Sequence, residues 1–431
     1  MKRLRTGRLI RNAVALIVSG TGSAVIGIVF WGVATHVASP TTIGRTSAEI
    51  AAIMLLATLA QLSFGSTFER FLPVAGDRTR LFVTRAYVLC VSIAFALAIA
   101  YVTSGLAHAF LPTSFAWRAL FVGAVVGWTV FALQDSVLIG LRATRWVPVE
   151  NILYSLVKLA LIPAFMVVTA SQDIILAWLT PVIPVLIVVN WYLFAKRIPE
   201  HMALSTSSEE LPSIRLLISL TSAQYATLLV TVLSGSVVTL IVIDRLGAVA
   251  SAHYYLPAQI AGGAAMALWS IDRSFLVEAS SEPDALRRHA RVALRAGLIV
   301  LTVCVVLGEI LAPEILGVFG RTYADNGTTL LRMFLLSLPG SAITVFYSSF
   351  AWLDKRVWIL TVREVVSSVV YFGVILLLIG HFGILAVGIA SLVQSGLQGI
   401  LFLPLVVRRY QRIPHTSGEE NGVATPAVND V

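Results

Sequence analysis

The polar side chains that could do chemistry are concentrated in residues 131–158, a stretch that begins in one apolar helix and ends in another. The second helix, which we expect to open at Pro148, bears a polar stripe at spacing i, i+3, i+4 and i+7, formed by Asn151, Tyr154, Ser155 and Lys158. Lys158 lies ten residues after Pro148, or roughly 15 Å into a hydrocarbon core about 30 Å thick. A lysine at that depth costs several kcal/mol unless it faces water, a partner or a cavity. The stripe therefore predicts a polar path through a membrane bundle.

Further polar side chains lie close to this stripe in the sequence. Gln134 and Asp135 lie in the first helix, before a short basic turn that contains Arg142 and Arg145. Glu150 falls in the first turn of the second helix, where a carboxylate suits the helix dipole. Asp135 and Arg142 are seven residues apart, so on a continuous helix they would share a face. We therefore expect them to form a structural ion pair near the cytoplasmic end.

The composition defines the class of protein that carries these residues. Of 431 residues, 58% are hydrophobic and 12% are charged, and the mean hydropathy is +0.88. Apolar surface on that scale requires lipid, so we expect one polytopic membrane domain with no soluble catalytic domain. The net charge of +9 resides in short loops between apolar runs. That pattern is typical of topology determinants at an anionic membrane face, and it does not favour a nucleic-acid partner.

The sequence contains no signature of catalysis. No nucleophile lies beside a base, no metal-ligand spacing occurs, and no nucleotide-binding loop is present. Cys90 and Cys304 each lie within an apolar run. We therefore predict a protein that is not an enzyme and that needs neither a metal nor a cofactor.

Apolar stretches of about 20 residues predict twelve transmembrane helices. We read the first, after a basic N-terminus, as a retained span and not as a signal peptide. The predicted spans are 12–34, 48–68, 82–104, 117–141, 148–170, 174–195, 218–243, 250–271, 292–312, 329–352, 357–379 and 383–407. One set of helix ends carries 25 of the 31 lysines and arginines and the opposite set carries 5. This asymmetry predicts that both termini face the cytoplasm, in a cell membrane.

A weak internal repeat divides the chain. The segment 145–157 resembles 356–370, because in both a basic turn with a tryptophan leads into an apolar helix that bears Glu150 or Glu364 near its start. We therefore expect two parallel six-helix lobes related by an axis along the membrane normal. The predicted boundaries are 1–200 for the first lobe, 201–214 for a cytoplasmic linker, 215–412 for the second lobe and 413–431 for a disordered tail.

Four segments carry a resemblance to a known family: 38–48, 134–151, 321–339 and 381–393. In this order they resemble motifs of the polysaccharide and O-antigen lipid flippases, within the multidrug/oligosaccharidyl-lipid/polysaccharide exporter superfamily. The resemblance covers the whole chain. It implies an all-α polytopic fold of twelve transmembrane helices, in two six-helix bundles around a central cavity that opens alternately to each side.

The same resemblance implies a function. The expected substrate is a lipid-pyrophosphate-linked oligosaccharide, moved from the inner to the outer leaflet for cell-surface polysaccharide synthesis. Membrane lipids, a polysaccharide polymerase and glycosyltransferases are the implied partners. Some family members carry arginines inside the first two spans, whereas the first span here has no charge between Arg11 and Arg45. Because of this departure, the resemblance does not locate the pyrophosphate site.

The candidate residues each allow two interpretations. Lys158 is either a cavity cation or a structural partner of Asp135 or Glu150. Arg70 and Arg273 lie at the inner helix ends, and Arg363 lies in the second-half counterpart of the Glu150 region. Each would either bind phosphate through its forked guanidinium group or merely extend to the membrane–water interface. The predicted substrate-binding set is Lys158, Arg70, Arg273, Arg363, Asn151 and Tyr154. The predicted gating or ion-pair set is Asp135, Arg142, Glu150, Glu69 and Asp272.

The sequence also allows other functions. Within the superfamily, the alternatives are a lipid II flippase and a cation-coupled drug exporter. A membrane glycosyltransferase or polymerase would need a sizeable soluble loop or a carboxylate cluster at the interface. The largest outer loops here are about 16 residues long, which argues against that class.

Overall fold

The computed structural model describes residues 25–169, 174–204, 225, 232–281, 285–354 and 357–413. All regular structure in these ranges is helical. The helices of the first half are α1 (Val25–Val37), α2 (Pro40–Ala60), α3 (Phe64–Phe71), α4 (Thr79–Thr103), α5 (Phe115–Gly140), α6 (Trp146–Thr169), α7 (Ile174–Leu179), α8 (Val182–Tyr192) and α9 (Ile198–Leu204). Those of the second half are α10 (Val238–Ser281), α11 (Leu286–Gly317), α12 (Arg321–Leu353), α13 (Val357–Phe382) and α14 (Leu385–Gln411).

The predicted all-α polytopic fold is confirmed. Ten helical stretches of the described chain are long and apolar enough to cross a membrane, and α1 adds a shorter apolar helix. The start of the first predicted span, half of the seventh, the linker beyond residue 204 and the tail after residue 413 lie outside the described residues. The lobe boundaries stay a prediction.

The prediction of one continuous second span over residues 48–68 is wrong. Helix α2 begins at Pro40, because the Ser39 hydroxyl accepts a hydrogen bond from the Thr42 amide and proline suits the first helical position. It ends at Ala60, and Leu62 and Ser63 have left-handed backbone angles, with φ of 47° and 60°. Such angles interrupt a right-handed helix. Helix α3 therefore starts in a new direction, packed against α5.

The turn between the seventh and eighth spans depends on one glycine. Gly247 has φ of 85° inside the stretch numbered α10. That angle is disfavoured for residues with a side chain, so glycine is needed where the helix breaks. The break falls between the predicted spans 218–243 and 250–271.

The two helix bundles contact each other chiefly through α2 and α10 within the described chain. Gly44 of α2 is so close to α10 that a Cβ atom there would lie 1.7 Å from the carbonyl oxygen of Ala248. Nearby, Trp31 of α1 packs edge-on against Tyr255 of α10, with ring centroids 4.9 Å apart. Both contacts lie toward the predicted outer ends of these helices. The bundles therefore meet tightly on the predicted outer side.

Candidate functional site

Lys158 lies on α6 and contacts aromatic rings. Its Nζ is 4.9 Å from the ring centroid of Tyr154 and 5.3 Å from that of Phe30 on α1. Among the ion pairs formed by the described residues, none involves Lys158. Because α6 starts at Trp146, Lys158 lies about 18 Å along the helix. A cation that meets ring faces, and no carboxylate of the described residues, keeps its charge available to an anion.

An aromatic cluster supports the lysine. Trp128 and Phe131 of α5, Tyr154 of α6 and Trp178 of α7 pack together, and the Trp128 and Trp178 rings stack with centroids 4.3 Å apart. The Tyr154 hydroxyl donates a hydrogen bond to the Trp178 carbonyl oxygen at 3.0 Å. Tyr154 therefore presents its ring to Lys158 and has its hydroxyl already engaged. The cluster fixes the wall on which the lysine lies.

Next to this wall, toward the predicted cytoplasmic end, the structure brings four sequence-predicted residues together. Asn151 donates a hydrogen bond to Asp135 Oδ2 at 3.0 Å, and Gln134 donates to Glu150 Oε1 at 3.5 Å. The carboxyl groups of Asp135 and Glu150 are neighbours, close enough for each to act on the other. The polar stripe thus continues from Lys158 into a carboxyl pair.

The expected ion pair between Asp135 and Arg142 is absent from the described ion pairs, so that prediction is wrong. Helix α5 ends at Gly140, and Arg142 has a left-handed φ of 58°. The chain therefore reverses before Arg142, and the arginine no longer shares a helix face with Asp135. Asp135 instead accepts the amide of Asn151.

Equivalent serine–carboxylate pairs occur in the two bundles. Ser136 of α5 donates to Glu69 of α3 at 3.4 Å, and Ser349 of α12 donates to Asp272 of α10 at 2.5 Å. Burial raises the pKa of the Glu69 carboxyl, while the Ser136 hydrogen bond and the charge of Arg273 lower it. Arg273 of the second bundle is therefore close enough to Glu69 of the first to act on it. Arg70 is exposed and lies 5.2 Å from the centre of the Phe71 ring.

Arg363 is embedded in a polar network of the second bundle. Its guanidinium pairs with Glu364 at 2.7 Å and donates to the Ser348 hydroxyl at 2.9 Å and to the Thr344 carbonyl at 3.3 Å. Gln394 and Gln398 of α14 donate to the Ser367 hydroxyl on α13. Arg363 thus joins α13 to α12, while the two glutamines join α14 to α13, and Arg363 is less available than Lys158.

Several residues of this site were missed by sequence reasoning. Phe30 gave no signal, because an apolar residue in an apolar helix does not reveal what it touches. Asn190 of α8 did give one, because it is an amide in an otherwise apolar helix. It donates a hydrogen bond to Gln134 at 2.8 Å and so joins α8 to the network.

Comparison with known proteins gives the fold. No family profile and no curated protein sequence matches the chain. Solved structures do. The chain is similar to the lipid II flippase MurJ in an inward closed conformation, with a TM-score of 0.72 and 14% identity over 94% of this chain and 90% of that one. It is also similar to an inward-facing multidrug resistance MATE family transporter of the MOP superfamily (TM-score 0.64, 13% identity, 95% and 100% covered). A third is the MATE multidrug transporter DinF-BH (TM-score 0.61, 14% identity, 93% and 95% covered).

Proposed function

We propose that this protein is a flippase that moves a lipid-pyrophosphate-linked oligosaccharide from the inner to the outer leaflet by alternating access. The observation that carries the proposal is Lys158. It is a cation deep in the first bundle, seated on the rings of Phe30 and Tyr154, and no carboxylate of the described residues pairs with it.

A cation in this setting suits a transported anion. A contact between an ammonium group and a ring is worth about 0.5–2 kcal/mol, which is weak enough for an incoming phosphate to compete. In a low-dielectric site, attraction to a multiply charged phosphate is strong and little screened by salt. We propose that Lys158 holds the pyrophosphate, with Asn151 and Tyr154 forming the wall that leads to it.

We propose that the arginines of the predicted set contact the substrate on its way to Lys158. Arg70 and Arg273 are exposed at the predicted inner ends of their bundles, where a phosphate headgroup would first arrive. Their guanidinium groups can bind two phosphate oxygens each. Arg363 would contribute only after leaving Glu364, so we assign it a secondary role. The similarity in fold to a lipid II flippase supports a lipid-linked substrate.

The test is transport by purified protein in proteoliposomes that contain defined lipid-linked oligosaccharides. Lys158→Arg should retain partial transport because the charge remains, whereas Lys158→Met should lose most of it. Lys196→Met is the matched control, because Lys196 is exposed near the inner end of the same bundle, and it should transport normally. Normal transport by Lys158→Met would contradict the proposal and would redirect the search to Arg70, Arg273 and Arg363.

A second candidate is a drug exporter of the same superfamily, favoured by the aromatic cluster and by the similarity to MATE transporters. The positive charge of Lys158 opposes it, because it would repel an organic cation at those rings. The same proteoliposomes loaded with a fluorescent organic cation, or with lipid II, separate these alternatives from the proposed substrate.

A further inference from the structure

Arg295 lies on the lipid-facing side of a membrane helix. It is nine residues after the start of α11, inside the span 292–312 predicted from the sequence. Its side chain is exposed, and so are Val292 and Ile299 on the same helix face, by 60% and 64%. An exposed apolar face of a spanning helix contacts lipid. A charged side chain on that face is costly unless it extends to the headgroups or meets an opposite charge.

A second lipid-facing helix ends in arginines of the same kind. On α14, the apolar Leu401 and Leu405 are exposed. Arg408 and Arg412, which are also exposed, follow at positions i+7 and i+11 from Leu401, so these side chains share one face. The apolar stripe therefore gives way to positive charge at the predicted cytoplasmic end of the helix. Together with Arg295, these two residues make up the arginine surface.

The two helices meet at these ends. Arg287 of α11 donates a hydrogen bond to the carbonyl oxygen of Ile413 at 3.1 Å, and its guanidinium lies 5.8 Å from the centre of the Tyr410 ring. This contact holds the start of α11 against the end of α14. Measured from it, Arg295 lies about 12 Å along α11 and Arg408 about 7.5 Å back along α14. The arginine surface thus covers a band about 10 Å deep, which long side chains can gather into one headgroup layer.

The carboxylates of this region already have partners. Asp354 accepts two hydrogen bonds from Arg409, at 2.8 and 3.0 Å, and Glu278 lies 3.1 Å from the Nδ1 atom of His289. Among the ion pairs formed by the described residues, none involves the three residues of the arginine surface. The surface therefore carries positive charge that no described carboxylate neutralises.

We propose that the arginine surface binds the phosphate of an anionic phospholipid from the cytoplasmic leaflet. A guanidinium group donates two parallel hydrogen bonds to phosphate oxygens. The exposed apolar stripes that continue from the arginines along α11 and α14 give the acyl chains a hydrophobic surface. A soluble phosphate would use only the arginines, whereas a phospholipid uses both features. The bound lipid contacts both helices and holds their cytoplasmic ends together.

Native mass spectrometry tests the site with two lipids that differ only in headgroup. Purified full-length protein in detergent is titrated with phosphatidylglycerol or with phosphatidylcholine of the same acyl chains, and the bound lipids are counted. Phosphatidylglycerol should bind the wild type more tightly. The triple substitution Arg295→Gln, Arg408→Gln and Arg412→Gln should weaken that binding on the order of 100-fold, because each arginine near an anionic lipid contributes roughly fivefold. Arg295→Gln alone should weaken it roughly fivefold and replaces the triple variant if that one does not fold.

Three outcomes of this titration overturn the proposal. The first is equal affinity of the wild type for the two lipids, and the second is unchanged phosphatidylglycerol binding in the glutamine variants. The third is equal weakening by Arg118→Gln, the matched control, because Arg118 is exposed at the predicted outer end of α5 and should not affect a cytoplasmic site. The triple lysine variant keeps the charges and should retain most of the binding.

A competition arm separates lipid from soluble phosphate. Glycerol phosphate carries the charged part of the headgroup without acyl chains, so at equal concentration it should leave phosphatidylglycerol bound. Complete displacement would identify a site for a soluble phosphate compound and would overturn the assignment to lipid.

Thermal unfolding in lipid nanodiscs provides a second measurement. A lipid that binds only the folded protein stabilises it, so the melting temperature of the wild type should rise when phosphatidylglycerol replaces part of the phosphatidylcholine. The triple glutamine variant should melt like the wild type in phosphatidylcholine and should lose that rise. A rise of wild-type size in the variant contradicts the proposal. Because neither measurement involves lipid-linked sugar, the lipid site and the proposed transport function can fail separately.

Discussion

The close contact between Gly44 and Ala248 allows one sharp prediction about how the bundles separate. Substitution Gly44→Ala places a Cβ atom 1.7 Å from the Ala248 carbonyl oxygen, and that neighbour is backbone that cannot rotate away. Ordinary contact requires about twice that distance, so α2 and α10 must move apart by roughly 1.5 Å. Overpacking of this kind costs about 1–3 kcal/mol. The arrangement with the outer ends in contact should lose that much stability relative to an open one.

The consequence is measurable as accessibility. A shift of about 1–3 kcal/mol changes an equilibrium roughly 5- to 150-fold. Ser47 lies one turn after Gly44 and is 0% exposed, so Ser47→Cys provides a buried reporter. In a background without Cys90 and Cys304, an impermeant maleimide added from outside should label Cys at position 47 faster by that factor when Gly44→Ala is present.

A matched glycine controls for a general loss of packing. A Cβ atom at Gly262 of α10 meets nothing within 4 Å, so Gly262→Ala should leave the labelling rate unchanged. Equal rates in wild type and Gly44→Ala would refute the reasoning, because the contact would then not hold the bundles together.

Two further predictions concern the orientation of the chain in the membrane and the aromatic cluster under Lys158. Reporter fusions after His108 and after Ala203 should face the outside and the cytoplasm respectively, as the distribution of basic residues requires, and the same side for both would contradict the topology. Tyr154→Phe removes the hydrogen bond to the Trp178 carbonyl and should cost about 1 kcal/mol of stability, seen as a lower melting temperature, while transport persists because the ring under Lys158 remains. Loss of transport in Tyr154→Phe at normal expression would mean that the hydroxyl itself contacts the substrate.

The class of protein and most helix positions could be predicted from the sequence. Apolar runs must match the thickness of the hydrocarbon core, and a bilayer excludes unpaired backbone groups, so composition alone predicts spanning helices. The helical spacing of Asn151, Tyr154 and Lys158 also predicted correctly that they lie along one helix. These properties are local, because each depends on residues a few positions apart.

The partners of those residues were decided by the tertiary structure. Spacing suggested that Asp135 would meet Arg142, yet the left-handed turn at Arg142 separates them. Phe30 lies under Lys158 because α1 and α6 pack together, and Asn190 reaches Gln134 because α8 packs beside α5. Such contacts depend on how each helix is rotated and placed against its neighbours. Sequence periodicity gives the polar face of a helix, and only packing determines which groups that face meets.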